Sequence, residues 1–148
     1  MNITQDTAHI NGATETGIPH FDRYVCQGDT VTIKTGLFIF TARIEYDSGT
    51  RPEDFDCFDP EDPEYGAENA AIIKAWRNDE WFYCGVVISS EYNGVTLPDS
   101  YLASLWGIEA NFPNCDNAYL AEVVQELLPE AESRAIDLVN DMRARLAA

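Results

Sequence analysis

Between Arg51 and Glu68 the chain reads RPEDFDCFDPEDPEYGAE, which is eight carboxylates and one cation in eighteen residues. Carboxylates at this density can hold a hard cation or pair with a basic partner. Asp54, Asp56 and Asp59 give D-x-D-x-x-D. An EF-hand calcium loop places Gly at its sixth position and Glu at its twelfth, so that six to eight oxygens converge on the ion. Counted from Asp54, the sixth position is Asp59 and the twelfth is Tyr65. The pattern therefore predicts no metal site. Glu53, Asp54, Asp56, Asp59, Glu61, Asp62 and Glu64 are read as groups that pair with a basic partner.

Other chemistries find no residues to carry them. Metal-dependent nucleases set a lysine beside paired carboxylates, and neither Lys34 nor Lys74 sits in a D/E-x-K unit. There is no G-x-S-x-G, no G-x-x-x-x-G-K-[ST] and no G-x-G-x-x-G. Cys26, Cys57, Cys84 and Cys115 are far apart with no C-x-x-C, which argues against a zinc ribbon. They read as reduced, mostly buried thiols of a cytoplasmic protein. No catalytic residue, cofactor or metal is predicted.

The unusual feature is charge distribution. Twenty-six acids face nine Lys and Arg, a net charge of −17. From Asn78 to Ser133 there is no Lys, Arg or His. Soluble surfaces ordinarily intersperse both signs. Glu122, Glu126 and Glu130 are spaced i, i+4, i+8, and Asp137 and Asp141 repeat the i, i+4 pair further on. On a helix such carboxylates stand about 6 Å apart, against about 3.4 Å between phosphates of one DNA strand. Like charges at this spacing cost a helix roughly 0.2–0.5 kcal/mol each. The row is a thinned analogue of a phosphate backbone. It repels nucleic acid and anionic membranes and attracts the basic surfaces that bind nucleic acid.

The elements that position these acids follow from periodicity. Val31–Thr35 and Leu37–Tyr46 alternate apolar and polar, which predicts two half-buried strands. Pro52, Pro60 and Pro63 exclude regular structure from the acidic stretch, and Phe55, Cys57 and Phe58 predict that part of it folds back on the core. A short helix is expected from Ala67 to Asn78. Trp81–Ile88 is apolar throughout and reads as a strand buried on both faces. Asn93-Gly94 marks a hairpin into Val95–Leu97. Leu105–Phe112 reads as a strand with Trp106, Ile108, Ala110 and Phe112 in phase. Asp116 or Asn117 is expected to cap a long final helix, continuous or broken at Pro129. The polar residues 1–19 read as a loose arm ahead of one domain over residues 20–148. The fold class is α+β: an antiparallel sheet of about four to six strands with a short middle helix and a long C-terminal helix packed on one face.

The segments DFDCF, AWRNDEWFYCGVVIS, LWGIEANFP and DNAYLAEVVQELLPEA resemble a family of small acidic proteins carried on bacterial plasmids, integrative elements and phages. The resemblance implies context and no catalytic residues: accessory genes of such elements often encode inhibitors of host defence. The expected function is a non-enzymatic acidic inhibitor that mimics DNA charge and blocks a CRISPR effector or restriction enzyme. Its partner would be a basic nucleic-acid-binding protein, with no direct nucleic-acid or membrane contact, in the bacterial cytoplasm. A homodimer is a further association that the pattern allows. Two alternatives stay open. One is an immunity protein for a basic nuclease toxin. The other is a small-molecule-binding or hydrolytic domain with Cys84, Trp106 or Glu109 lining a pocket between sheet and helix.

Overall fold

In the computed structural model, residues 10–11 and 19–147 are described. The third strand shows why the sheet forms. In β3 (Phe38–Tyr46), Phe38, Phe40, Ala42 and Ile44 are buried, and the residues between them are only half-buried. This period of two turns one face to a core and the other to solvent. Around it lie β1 (Ile10–Asn11), β2 (Thr30–Thr35), β4 (Phe82–Tyr92), β5 (Val95–Thr96) and β6 (Ala103–Ala110). Two helices, α1 (Gly66–Arg77) and α2 (Tyr119–Ala147), complete the α+β fold.

All pairings are antiparallel, in the order β1-β2-β3-β4, with β5 and β6 both against β4. Hairpins join β2 to β3 and β4 to β5, the second at Asn93-Gly94, where both residues have positive φ (50° and 81°). Ala42 pairs with Ile88 and Ile44 with Val86, so the buried residues of β3 share a face with the even-numbered residues of β4. This front face carries α2, whose Leu120, Val124, Leu128, Ala131, Ala135 and Val139 are buried against Phe40, Ile44, Val86 and Ile88 in one cluster. Burying each large aliphatic side chain contributes roughly 1.5–3 kcal/mol, which explains why so acidic a helix stays docked. Pro129 lies inside α2, exposed on its solvent side. The chain continues through it as one helix, and Gln125, whose carbonyl loses its donor, lies at an exposed position where water can replace it.

Tyr83, Gly85 and Val87 point to the opposite, back face. There the acidic stretch and α1 cover a second cluster of rings. Phe55 lies against Tyr83 (ring centroids 5.8 Å apart), and Phe58 against Trp81 (6.3 Å) and Phe112 (5.9 Å). Trp81 is buried and donates its indole N–H to the Ile72 carbonyl of α1 at 2.9 Å.

Four expectations need correcting. First, Trp106 is out of phase with Ile108 and Ala110. A bulge sets Trp106 and Gly107 (φ 75°) opposite Gly85, and the extra residue swings the indole to the back face, over Gly85. Second, neither Asp116 nor Asn117 occupies the N-cap position, because α2 begins at Tyr119. Asn117 is buried at φ 65° and joins Asn111 in a polar pin. Its Nδ2 donates to the Arg23 carbonyl (2.9 Å) and to Asn111 Oδ1 (2.8 Å), and its Oδ1 accepts the Asn111 N–H (2.8 Å). Third, the thiols are not mostly buried: Cys84 is, but Cys26 and Cys57 are exposed and Cys115 is half-buried. Fourth, β4 runs on to Tyr92, four residues past the apolar run, because β3 pairs with it along its whole length. The arm expected over residues 1–19 lies outside the described residues, apart from Ile10–Asn11, which pair with Thr35 and Lys34, and Pro19.

Candidate partner-binding surface

The acidic stretch is built by its own side chains. Two short 3-10 turns, Pro52–Asp54 and Asp56–Phe58, start it. Asp54 Oδ2 accepts the Arg51 N–H (2.9 Å), Asp59 Oδ1 accepts that of Glu61 (2.9 Å), and Asp62 Oδ1 accepts those of Glu64 and Tyr65 (2.8 Å each). The Tyr65 amide first, then that of Glu64, holds the Asp62 carboxyl below the usual aspartate range. Three of the seven acids read here as partner-binding are therefore turn-formers. The sequence signal is Asp-Pro-Glu written twice, at Asp59–Glu61 and Asp62–Glu64. In it an aspartate bonds its own backbone two residues on. Glu53 pairs with Arg77 of α1 at 2.9 Å. Asp56, Glu61 and Glu64 are exposed and have no ion pair among the described residues. No cluster of three His, Cys, Asp or Glu that could hold a metal occurs among the described residues.

A glycine joins this stretch to α1. A Cβ on Gly66 would stand 2.4 Å from the Pro60 carbonyl oxygen, a backbone atom. Alanine for glycine in a helix ordinarily gains up to about 1 kcal/mol. Overpacking against backbone costs about 1–3 kcal/mol, so the clash wins. Gly66→Ala should lower stability by about 1–2 kcal/mol in urea unfolding.

The second set of acids stands on α2. At 100° per residue, Glu126 lies 200° around the helix from the buried Val124, and Glu122 lies 200° the other way. Glu122, Glu126 and Glu130 therefore point straight away from the sheet, and all are exposed. Glu130 pairs with Arg134 (3.3 Å) and Asp141 with Arg145 (3.2 Å). Glu122 and Glu126 have no ion pair among the described residues. Half-burial raises the carboxyl pKa of the neighbouring Glu132 above the usual range.

The structure does not bring the two sets together. The acidic stretch caps the ring cluster on the back of the sheet, and the α2 row faces outward from the front. Sheet and helix lie between them, so one flat surface cannot touch both.

Cys84, Trp106 and Glu109 do not converge on a pocket either. Cys84 is buried on the front face, its thiol pushed up to about 12 by burial and then by the Asp47 carboxylate. Trp106 lies on the back face and is 41% exposed. Glu109 is half-buried, and its carboxyl is raised by desolvation. One surface depression, between the 3-10 turns and α1, is lined by Phe55, Phe58 and Ile73 together with Glu53, Asp56 and Asp59. Two others lie beside Asp116. No helix among the described residues is long and apolar enough to cross a membrane.

Comparison with protein-family models, curated proteins and solved structures finds no match. The resemblance stated above rests on its quoted segments alone.

Proposed function

We propose that the chain is a non-enzymatic acidic inhibitor, of the anti-CRISPR or anti-restriction type. Its α2 row occupies the nucleic-acid groove of a basic host defence protein. The observation that carries this reading is the outward row Glu122, Glu126, Glu130 on a helix rigidly docked by Leu120, Val124 and Leu128. A fixed line of carboxylates at about 6 Å intervals presents a basic groove with the regular anions it is built to neutralise. The acids on the back of the sheet add to the long-range field that steers a cationic partner without touching the same groove.

The test is competition. The protein is titrated into complexes of labelled duplex DNA with purified restriction enzymes and CRISPR effectors. It should displace DNA from a susceptible target, with affinity falling on the order of tenfold between about 0.05 and 0.2 M salt. If inhibition persists undiminished through that range, or no member of either class releases DNA, the reading is wrong.

A further inference from the structure

We propose that the outer edge of β6 is a docking surface for a second copy of this chain, joined by antiparallel strand pairing about a two-fold axis near Leu105.

Among the described residues β6 pairs only with β4, which leaves the groups on its other edge outside the ladder. Sheets ordinarily blunt such an edge with lysine, proline, a bulge or brevity. β6 is eight residues long and holds no Lys, Arg or Pro; its one charge is Glu109, near the end. The opposite edge of the sheet is treated differently, since β2 carries Lys34 and is covered by β1 at Lys34 and Thr35. The one blunting device on β6 is the bulge. Its Gly107 N–H is already taken by Asp47 Oδ2 at 3.0 Å, which leaves the run Ala103–Trp106 ahead of it free to pair.

Exposed apolar side chains flank this edge on both faces of the sheet. Leu105 and, on β5, Val95 lie opposite front-face Val86 and Tyr92 and are 44% and 55% exposed; on the back face Trp106 over Gly85 and Tyr101 against Arg43 are 41% and 48% exposed.

Charge selects the occupant. Two molecules at −17 repel each other through the acidic stretch and through α2, the two most densely acidic parts of the surface. From Ser100 to Ile108 the chain has no Asp, Glu, Lys, Arg or His, and the charged groups that touch it are the mutually paired Arg43 and Glu45 and the hydrogen-bonded Asp47, so an identical copy meets less repulsion here than at the acidic stretch or α2. A basic partner is drawn instead to the carboxylates and gains nothing from a neutral edge. Identical edges are self-complementary in antiparallel pairing about a two-fold axis, the commonest symmetry of homo-oligomers. With the axis perpendicular to the sheet, Leu105 faces its twin and Ser104 faces the second copy's Trp106. Both α2 helices then lie on one face.

The experiment is sedimentation equilibrium of the full chain over a wide concentration range at low and high salt. A monomer–dimer equilibrium should appear, and it should tighten as salt screens the repulsion between the two copies. This is opposite in sign to the salt dependence expected for binding a basic target, so the two readings fail independently. Leu105→Lys should weaken dimerisation about tenfold or more with an unchanged circular dichroism spectrum. Should that variant fail to fold, Ser104→Lys, at an already exposed polar position, makes the same test. Lys34→Glu on the opposite edge should leave the dimer intact. A wild-type chain that stays monomeric at high concentration and salt would overturn the proposal. So would folded edge variants that dimerise as the wild type does.

Discussion

Asn117→Asp should destabilise the protein by about 3–5 kcal/mol at neutral pH, although it exchanges one atom for another of the same size. The Asn117 amide donates to two acceptors, the Arg23 carbonyl and Asn111 Oδ1. A carboxylate has no proton for either. The neighbour cannot rescue it by turning over, because Asn111 is itself fixed: its Oδ1 accepts the Val25 N–H (2.9 Å) and its Nδ2 donates to the Val25 carbonyl (2.8 Å). The variant thus places a charge 3% exposed against two oxygens. Each buried group left without its partner costs about 1–3 kcal/mol, more when charged. A domain of this size holds about 5–15 kcal/mol in all, so at least about a fifth of the stability is at stake.

The pH dependence of that variant follows by linkage. Burial raises the folded pKa of the new carboxyl above its unfolded value. The protonated form is then the better tolerated one. The deficit is smallest below the unfolded pKa, grows as pH rises through the folded pKa, and is full above it. Urea midpoints at pH 5 and pH 8 measure this. Small losses at both would show that the pin carries little of the stability. Asn117→Ala removes the charge but leaves the Asn111 N–H and the Arg23 carbonyl unpaired, and it forces alanine to φ 65°; it should also be destabilised, with no such pH dependence.

The same residue shows where sequence reading stops. Asp116-Asn117 ahead of an apolar helical repeat has the composition of an N-cap, and composition cannot reveal that Asn117 serves contacts 94 residues away in sequence. The strands were legible because alternation in β3 and the apolar run of β4 are local consequences of burial. The face of Trp106 was not, because Leu105–Phe112 alternates well enough to hide a bulge. The clue was Gly107 inside a strand pattern, with Gly85 on β4 leaving room for the indole. The acids were legible as a density and not as a surface. Counting carboxylates cannot separate Asp59 and Asp62, which fold their own turns, from Glu122 and Glu126, which face water. Nor can it show that a sheet stands between the two sets.

That separation makes the second large effect a contest between two variants of equal charge. Glu122→Lys, Glu126→Lys and Glu130→Lys together change the front of the molecule. Asp56→Lys, Glu61→Lys and Glu64→Lys change the back, avoiding the aspartates that hold the turns. Either triple moves the net charge from −17 to −11, since each site goes from −1 to +1. An exposed ion pair contributes about 0.2–1 kcal/mol, and reversal replaces that attraction with repulsion of similar size. Over three sites the loss is roughly 1–6 kcal/mol, or about 10- to 10⁴-fold in affinity for the basic target. The front triple should show that loss. The back triple, acting only through the long-range field, should change affinity less than about tenfold and mainly in the association rate. Stability should hardly distinguish them. The front triple keeps a row of like charges, lysines in place of glutamates, and turns the Glu130–Arg134 attraction into repulsion, and each of these terms is worth only about 0.2–0.5 kcal/mol. Equal losses from both triples would mean that net charge alone attracts the partner. A larger loss from the back would move the contact to the acidic stretch, where Phe55 and Phe58 border the groove beside Asp56 and Asp59.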